Sequence, residues 1–394
     1  MPEPVQSPEF SQVEGPPHFF TLTEGAVKDS VGASIRFAIN GRFLGQRLTG
    51  VQRVAGELLC AIDQELAAAA RHDWCLLAPP DVHIPPLQAI KGIRAGKFGR
   101  HPHWWEQMTL PAAGRGLRVV NLSGGAAWRH TRQSCLLHDA AVFDTPDSYR
   151  PVFRWWYRAL FNHLARSRAD LLTVSQFSRM RLALNLKVPD SEIEVIRSGA
   201  DHASRVEPLA QAHAASLLQR LGLLPGQPYF LCVGSSNPNK NHGFLFKAWK
   251  ALPGPRTALV VAGGHDPSVF GPTRGAEFGG LVRAEDLSDD ELFHLYRGAL
   301  ALLFPSRYEG FGLPPLEAMS CGCPVIASHA VAEVCADAAL LLDTDDPSDW
   351  TQAMQLMASD EPLRHTLRLK GLARAAQFKW SDAARHLIAH VDSL

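Results

Sequence analysis

Apolar positions along this chain fall into short runs that alternate with segments of helical spacing. Residues 34–39, 74–78, 119–122, 135–138 and 171–174 are brief apolar stretches that predict strands. Residues 51–70 set Val54, Leu58, Leu59 and Ile62 on one face and predict an amphipathic helix, with 40–50 as the loop that leads into it. A second cycle opens at 229–234, continues with a helix from about His242, and returns to a strand at 257–264. Such alternation predicts two parallel α/β units. The break between them falls in the Ala- and Gln-rich stretch 199–228, where strand signals lapse. The expected organisation is an α/β domain over 34–204, a second over 205–379, and a short amphipathic helix over 380–394. Residues 1–33 are rich in Pro, Glu, Ser and Gly and lack both the basic start and the apolar centre of a signal peptide. They predict a poorly ordered tail.

Composition narrows the function classes. A chain of 394 residues supports two domains with ample core. Lys+Arg and Asp+Glu are equal at 39 each, so no global field recruits nucleic acid, and an anionic partner must find a local patch. The seven cysteines are odd in number, sit in mostly apolar settings and form no paired CxxC framework, which predicts reduced thiols in a cytoplasm. Cys321-Gly322-Cys323 has no nearby His and does not predict zinc. No apolar run approaches the ~18 residues a membrane span needs, so membrane contact is expected to be peripheral, at the inner face.

The chemistry concentrates in 304–319, Phe-Pro-Ser-Arg-Tyr-Glu-Gly-Phe-Gly-Leu-Pro-Pro-Leu-Glu-Ala-Met. An apolar strand over 299–304 precedes it, Gly310 and Gly312 let backbone approach a ligand, and Pro314-Pro315 marks the first turn of a helix whose free N–H groups face an anion. Glu309 is expected at the strand's mouth and Glu317 inside the first helical turn. Each carboxylate can then accept hydrogen bonds from a vicinal diol, one on a hexose and one on a ribose. The helix should end at Gly322, before a strand over 324–327.

This segment resembles the donor-site signature of retaining glycosyltransferase family 4, whose GT-B fold sets two Rossmann-like domains face to face. The resemblance runs from about residue 36 to the C-terminus. It implies a nucleotide-sugar donor, no cofactor and no metal, with Glu309, His138 and Lys240 as catalytic residues. Donor binding would fall to Glu317, Gly310, Phe311, Gly312 and Leu313. Thr49-Gly50-Val51-Gln52-Arg53 resembles the family's first glycine loop, so Gly50 joins the donor set. His138-Asp139 follows an apolar strand at the sheet's carboxyl edge, and the family's histidine there lies beside the transferred sugar, with Asp139 on the acceptor side. Residues 233–241 resemble the second phosphate-facing loop and add Gly234, Ser235 and Asn239, while 280–287, with Val282 and Arg283, resembles the segment that reads the base. Relatives usually carry a second cation at the position of Ser235 or Asn239. This chain has none at either, which implies either weaker charge compensation or an arginine arriving from elsewhere, such as Arg283.

Two other features compete for attention. Asp343-Thr344-Asp345 looks like the acidic triplet of metal-dependent glycosyltransferases, but the resemblance places it on a solvent-facing loop. Residues 148–169 contain no acid and interleave Arg150, Arg154, Arg158, Arg166 and Arg168 with Phe153, Trp155, Trp156, Tyr157 and Phe161. As a helix this gives an apolar stripe (Phe153, Trp156, Leu160, Leu164) and a basic one (Arg150, Arg154, Arg158). It reads either as a core helix with a solvated edge or as a contact for anionic headgroups or a lipid-diphosphate acceptor, with Trp155 and Trp104-Trp105 adding to it. The expected function is retaining, metal-independent transfer of a hexose, mannose from GDP-mannose as first guess, to a saccharide or lipid-linked saccharide in surface polysaccharide synthesis. The alternatives are a sugar-nucleotide epimerase of the same fold and a catalytically silent glycan-binding module.

Overall fold

The computed structural model describes residues 35–96, 102–253, 257–264 and 280–394, so the tail expected over 1–33 lies outside the described residues. The predicted alternation resolves into two parallel sheets. The first contains β1 (Phe37–Asn40), β2 (Trp74–Ala78), β3 (Lys91–Arg94), β4 (Arg118–Asn121), β5 (Gln133–Leu136), β6 (Asp170–Thr173) and β7 (Ile193–Val195), in the order β3-β2-β1-β4-β5-β6-β7. The second contains β8 (Tyr229–Val233), β9 (Ala258–Ala262), β10 (Leu281–Ala284), β11 (Leu302–Phe304), β12 (Val325–Ser328) and β13 (Leu340–Leu342), in the order β10-β9-β8-β11-β12-β13. Strand order reverses between β1 and β4 in one sheet and between β8 and β11 in the other. At such switch points the loops leaving adjacent strands diverge and open a crevice at the carboxyl edge.

Central strands are continuous apolar runs because helices cover both faces of a parallel sheet, and β2 and β9 are buried along their whole length. Edge strands carry a weaker signal. β3 reads Lys-Gly-Ile-Arg with only Ile93 fully buried, and β3, β7 and β13 are three or four residues long with one neighbour each, which is why no strand was expected there. The first strand begins at Phe37 rather than 34, and 41–45 form a 3₁₀ turn that the Asn40 side chain caps by accepting from the Arg42 N–H at 3.1 Å.

The chain passes between the sheets twice. No strand interrupts 196–228, which holds the helices His202–Arg205 and Gln211–Arg220. The final helix, Trp380–Asp392, packs on the helix Gly50–Ala68, with Trp380, Ala384 and Leu387 buried against Leu58 and Ile62. Ion pairs Arg385–Glu65 (2.9 Å) and Arg71–Asp392 (2.6 Å) frame that contact. The two passages touch: Ala200 N–H donates to the Phe378 carbonyl at 3.0 Å, and Asp201 Oδ1 accepts from Trp380 N–H at 2.8 Å. A side chain at Gly199 would collide with the Trp380 backbone, so only glycine fits where the strands of chain cross.

Candidate active site

The second sheet's switch point is built from glycines and one lysine. After β8, Gly234 takes φ +156°, and after β9, Gly263 takes φ +145° with its Cα against the Gly234 carbonyl, leaving no room for a Cβ. The Lys240 stem lies over Gly234, and Lys240 Nζ donates to Glu309 Oε1 at 2.6 Å while standing 5.4 Å from the Phe304 ring centroid. Lys240 and Glu309 are 22% and 12% exposed, so the pair faces the crevice without being sealed in it. An ammonium held in this way over bare backbone suits a diphosphate.

The helix Leu313–Ser320 opens at Gly312, whose φ of +98° requires glycine, and ends with Gly322 at φ +71°. Cys323 N–H bonds to the Ala318 carbonyl (2.8 Å) and Gly322 N–H to that of Met319 (3.0 Å), the paired bonds of a Schellman stop. Two expectations need correcting here. Pro314 and Pro315 have no N–H, so only Leu313 and Leu316 can offer donors in the first turn. Glu317 is the fifth helical residue, in the second turn, and is 3% exposed.

Glu317 stands in a closed set of partners. Its Oε1 accepts from His202 Nε2 at 3.0 Å with Arg53 Nε at 3.7 Å, and its Oε2 accepts from Tyr296 O–H at 3.3 Å. Arg53 comes from the first half and grips Asp289 with both guanidinium nitrogens, one at 2.8 Å. That bond holds the Asp289 carboxyl below its ordinary range.

His138, from the first half, brings its backbone carbonyl against Gly310, the residue after Glu309. Its Nε2 lies 2.8 Å from the Leu122 carbonyl, which can only accept, so the proton sits on Nε2 and Nδ1 keeps its lone pair. Burial depresses its pKa to about 4, so the ring is neutral at pH 7. Asp139 folds back, Oδ1 accepting from Ala141 N–H at 2.8 Å, and burial raises its carboxyl with Glu309 adding in the same direction. The halves approach closely because Gly310 has no side chain. A Cβ there would overlap the His138 carbonyl, and the Gly310 carbonyl itself accepts from Ser175 and Ser178 hydroxyls.

Several expected donor residues take other roles. The Asn239 carboxamide accepts from Ser148 Oγ (2.9 Å) and donates to Thr145 Oγ1 (2.9 Å), tying the loop after β8 to the opposite half. Phe311 stacks edge-on against Phe378 at 5.9 Å and Leu313 is buried in the first half's core, so both act through backbone and packing. Gly310 is an inter-half contact. Gly50 begins its helix with open space where a Cβ would stand, Ser235 is half-buried at the mouth, and Val282 and Arg283 lie on β10 in register with Val260 and Val261. Arg283 is exposed and, with Lys240, helps hold the His242 ring neutral after burial, which is the larger cause.

Arg150 precedes the helix Pro151–Arg166, where Leu160, Phe161 and Leu164 form the buried face and Phe153 is exposed, so the apolar stripe is shorter than expected. The basic stripe is also diverted: Arg158 donates to the Val142 (2.7 Å) and Phe143 (3.1 Å) carbonyls, and Arg154 to that of Pro146 (3.5 Å). Outward lie Val152, 80% exposed, and Trp155, 69% exposed, together with the exposed Arg150, Arg166 and Arg168. Asp343 stands on an exposed loop at the end of β13, 3.7 Å from His329.

Sequence reasoning missed Arg47, Arg53 and His202. Arg47 reaches from the loop after β1 so that its guanidinium lies on Gly264 of the second half, and a side chain there would collide with it. A cation in a loop at a strand's carboxyl edge was the available signal. For His202 and Arg53 there was none, because their partners are 115 and 236 residues away.

Comparison with known proteins identifies the family and the fold. The profile of the family described as glycosyl transferases group 1 matches residues 216–373. The O-antigen chain mannosyltransferase B of Escherichia coli is 33% identical over 270 residues, covering 66% of this chain and 70% of that protein. The serotype-specific mannosyltransferase WbdA of the same species is 29% identical over 265 residues, but this chain spans only 32% of its length. Among solved structures, WaaG, a glycosyltransferase involved in lipopolysaccharide biosynthesis, superposes with a TM-score of 0.65 at 17% identity, over 90% of this chain and 99% of WaaG. Anabaena HepE in complex with UDP and glucose gives 0.67 at 17% identity, over 91% and 100%. The chain therefore belongs to the group 1 glycosyl transferases, with their GT-B fold of two Rossmann-like domains, and is a hexosyltransferase.

Proposed function

We propose that this chain moves a hexose, with mannose from GDP-mannose as first choice, to a saccharide or lipid-linked saccharide acceptor during assembly of a surface polysaccharide. The transfer retains configuration at the anomeric carbon and uses no metal and no cofactor. The observation that carries this reading is the Lys240–Glu309 pair over Gly234, with the neutral His138 residue packed against Gly310, next to Glu309 in the chain. Lys240 neutralises the leaving diphosphate, and Arg47 supplies the second cation absent at Ser235 and Asn239. Glu309 and the free Nδ1 of His138 hold hexose hydroxyls, and Glu317 holds the nucleoside diol. The leaving diphosphate takes the acceptor's proton on the same face of the sugar, so the protein contributes positioning and charge. Mannose rests on the names of the O-antigen mannosyltransferase relatives.

The domain limits follow the same reading: 34–204 as the acceptor half, 205–379 as the donor half, and 380–394 crossing back. Among the described residues no helix is long and apolar enough to cross a membrane. We propose that contact with anionic bilayers is peripheral and made by Val152, Trp155 and Trp104 (65% exposed) rather than by the arginine stripe. Trp104 adjoins His103, whose ring lies 6.1 Å from that of Trp156 on the helix Pro151–Arg166, which also carries Val152 and Trp155. Trp155→Ser should then weaken vesicle binding while the protein stays folded, and unchanged binding rejects this surface.

A panel of sugar nucleotides tests the donor: a ligand at a hundred times its dissociation constant adds ~2.7 kcal/mol of stability, read as a rise in Tm. No response to GDP-mannose with a response to another sugar nucleotide reassigns the hexose or base. Loss of turnover in EDTA that Mn²⁺ restores overturns metal independence, and an inverted anomer in the product overturns retention.

A further inference from the structure

The final helix of the chain holds a residue of the donor half in place through a single imidazole. Trp380 Nε1 lies 3.0 Å from His202 Nδ1, and His202 Nε2 lies 3.0 Å from Glu317 Oε1. An indole N–H can only donate. Nδ1 must therefore present its lone pair, the ring's proton sits on Nε2, and that N–H points at the Glu317 carboxylate. Two rings pack against it, Phe293 edge-on and Trp380 tilted, each with its centroid 5.9 Å from that of the imidazole, and restrict its rotation. His202 is 5% exposed and Trp380 wholly buried, so water does not compete for either bond.

We propose that His202, kept in one tautomer by Trp380, is the positioning residue that orients Glu317 to receive the nucleoside diol. This rests on the reading above that Glu317 binds that diol. A diol engages a carboxylate with two hydroxyls at once, which works only if the carboxylate plane is fixed beforehand. His202 fixes Oε1 and Tyr296 fixes Oε2, each using one of two acceptor sites on its oxygen; Arg53 Nε, 3.7 Å from Oε1, is beyond hydrogen-bond length, so one site on each oxygen is left for the ligand. The consequence crosses the molecule: a tryptophan on a helix packed against the first half sets a ligand group of the second.

The test compares two ligands by calorimetry on the full chain: whichever of GDP and UDP binds wild type more tightly, and its 2′,3′-dideoxy analogue. Wild type should prefer the ribose form by about tenfold or more, the scale of a hydrogen bond to a charged group. His202→Phe should shrink that ratio toward one by weakening the ribose form and sparing the dideoxy form. His202→Gln, whose amide can accept from Trp380 and donate to Glu317, should restore part of it. Trp380→Phe leaves His202 in place but frees Nδ1, and should also narrow the ratio; it carries the test if His202→Phe does not fold. A wild-type ratio in His202→Phe, an equal weakening of both ligands, or no rescue by Gln overturns the proposal. Glu317→Ala separates the two levels. If it keeps the wild-type ratio, the reading of Glu317 falls and this inference with it; if it abolishes the ratio while His202→Phe keeps it, only the inference falls.

Discussion

At the scale of single residues, charge and protonation are set by what lies within a few ångströms. On the proposed reading Lys240 serves a diphosphate because its stem lies over Gly234, whose carbonyl Gly263 backs closely, and because Glu309 aims its ammonium. Lys240→Ala should cost roughly a hundredfold or more in turnover, on the scale of removing one preorganised electrostatic donor. Steady-state rates with the cognate sugar nucleotide check this, and a loss under tenfold would make Arg47 the principal cation. His138 gives a pH signature. Its folded pKa of about 4 lies below the ordinary value of 6.5. The unfolded chain therefore takes up a proton between those values that the folded ring refuses. The contribution to stability is complete above about pH 6.5 and is lost as pH falls toward 4, by up to about 3 kcal/mol. Buried His242 acts in the same direction. Urea midpoints at pH 7, 5.5 and 4.5 should fall for wild type and fall less steeply for His138→Gln. Equal slopes would mean that His138 titrates near its ordinary value.

At the scale of elements, the helix Pro151–Arg166 shows how a sequence pattern can be right in kind and wrong in use. Its arginine spacing was legible, but spacing does not say whether a guanidinium meets water, a headgroup or a carbonyl. Residues 141–144 form a single helical turn whose carbonyl ends lack continuing partners, and Arg158 supplies them at Val142 and Phe143. Arg158→Leu should therefore destabilise the fold by about 1–3 kcal/mol by leaving those carbonyls unmet. Denaturant unfolding checks it; a change within ~0.5 kcal/mol would mark Arg158 as a solvated surface residue. The same contrast marks what could be read in advance. Central strands β2, β8 and β9 and the Gly312 and Gly322 limits of the site helix follow from local chemistry, namely continuous apolar runs and residues that only one backbone conformation suits. The edge strands β3, β7 and β13 escaped because one neighbour and a few residues leave little apolar pattern. Glu309 and Lys240 were legible as a pair of motifs. That Asn239 would turn to Thr145 and Ser148, 94 and 91 residues away, was not, since nothing local to Asn239 differs between binding a phosphate and binding the other half.

At the scale of the whole molecule, the site exists only while the halves are apposed. Tyr308 O–H donates to Asp144 Oδ2 at 3.0 Å, Glu333 accepts from the N–H groups of Gln176 and Phe177 at 2.9 and 3.0 Å, and Asn239 bridges to Ser148. These bonds surround Gly310, where the two backbones come closest. Gly310→Ala is the smallest change that separates the halves at that point. Its methyl would overlap the His138 carbonyl, so either the loop 308–312 withdraws or His138 and Asp139 do, and in both cases His138 shifts relative to the loop that carries Glu309. Turnover should fall by about a hundredfold, the scale on which a displacement of about 1 Å penalises a reaction that depends on positioning. Binding of the free nucleoside diphosphate should change little, because Lys240 and Glu317 belong to the second half and Gly310 touches neither Gly234 nor Gly263. Calorimetry with the nucleotide and single-turnover rates with the intact donor separate these effects. Turnover within twofold of wild type would show that catalysis does not require this apposition. Equal losses in affinity and rate would show instead that the substitution had deformed the donor half itself.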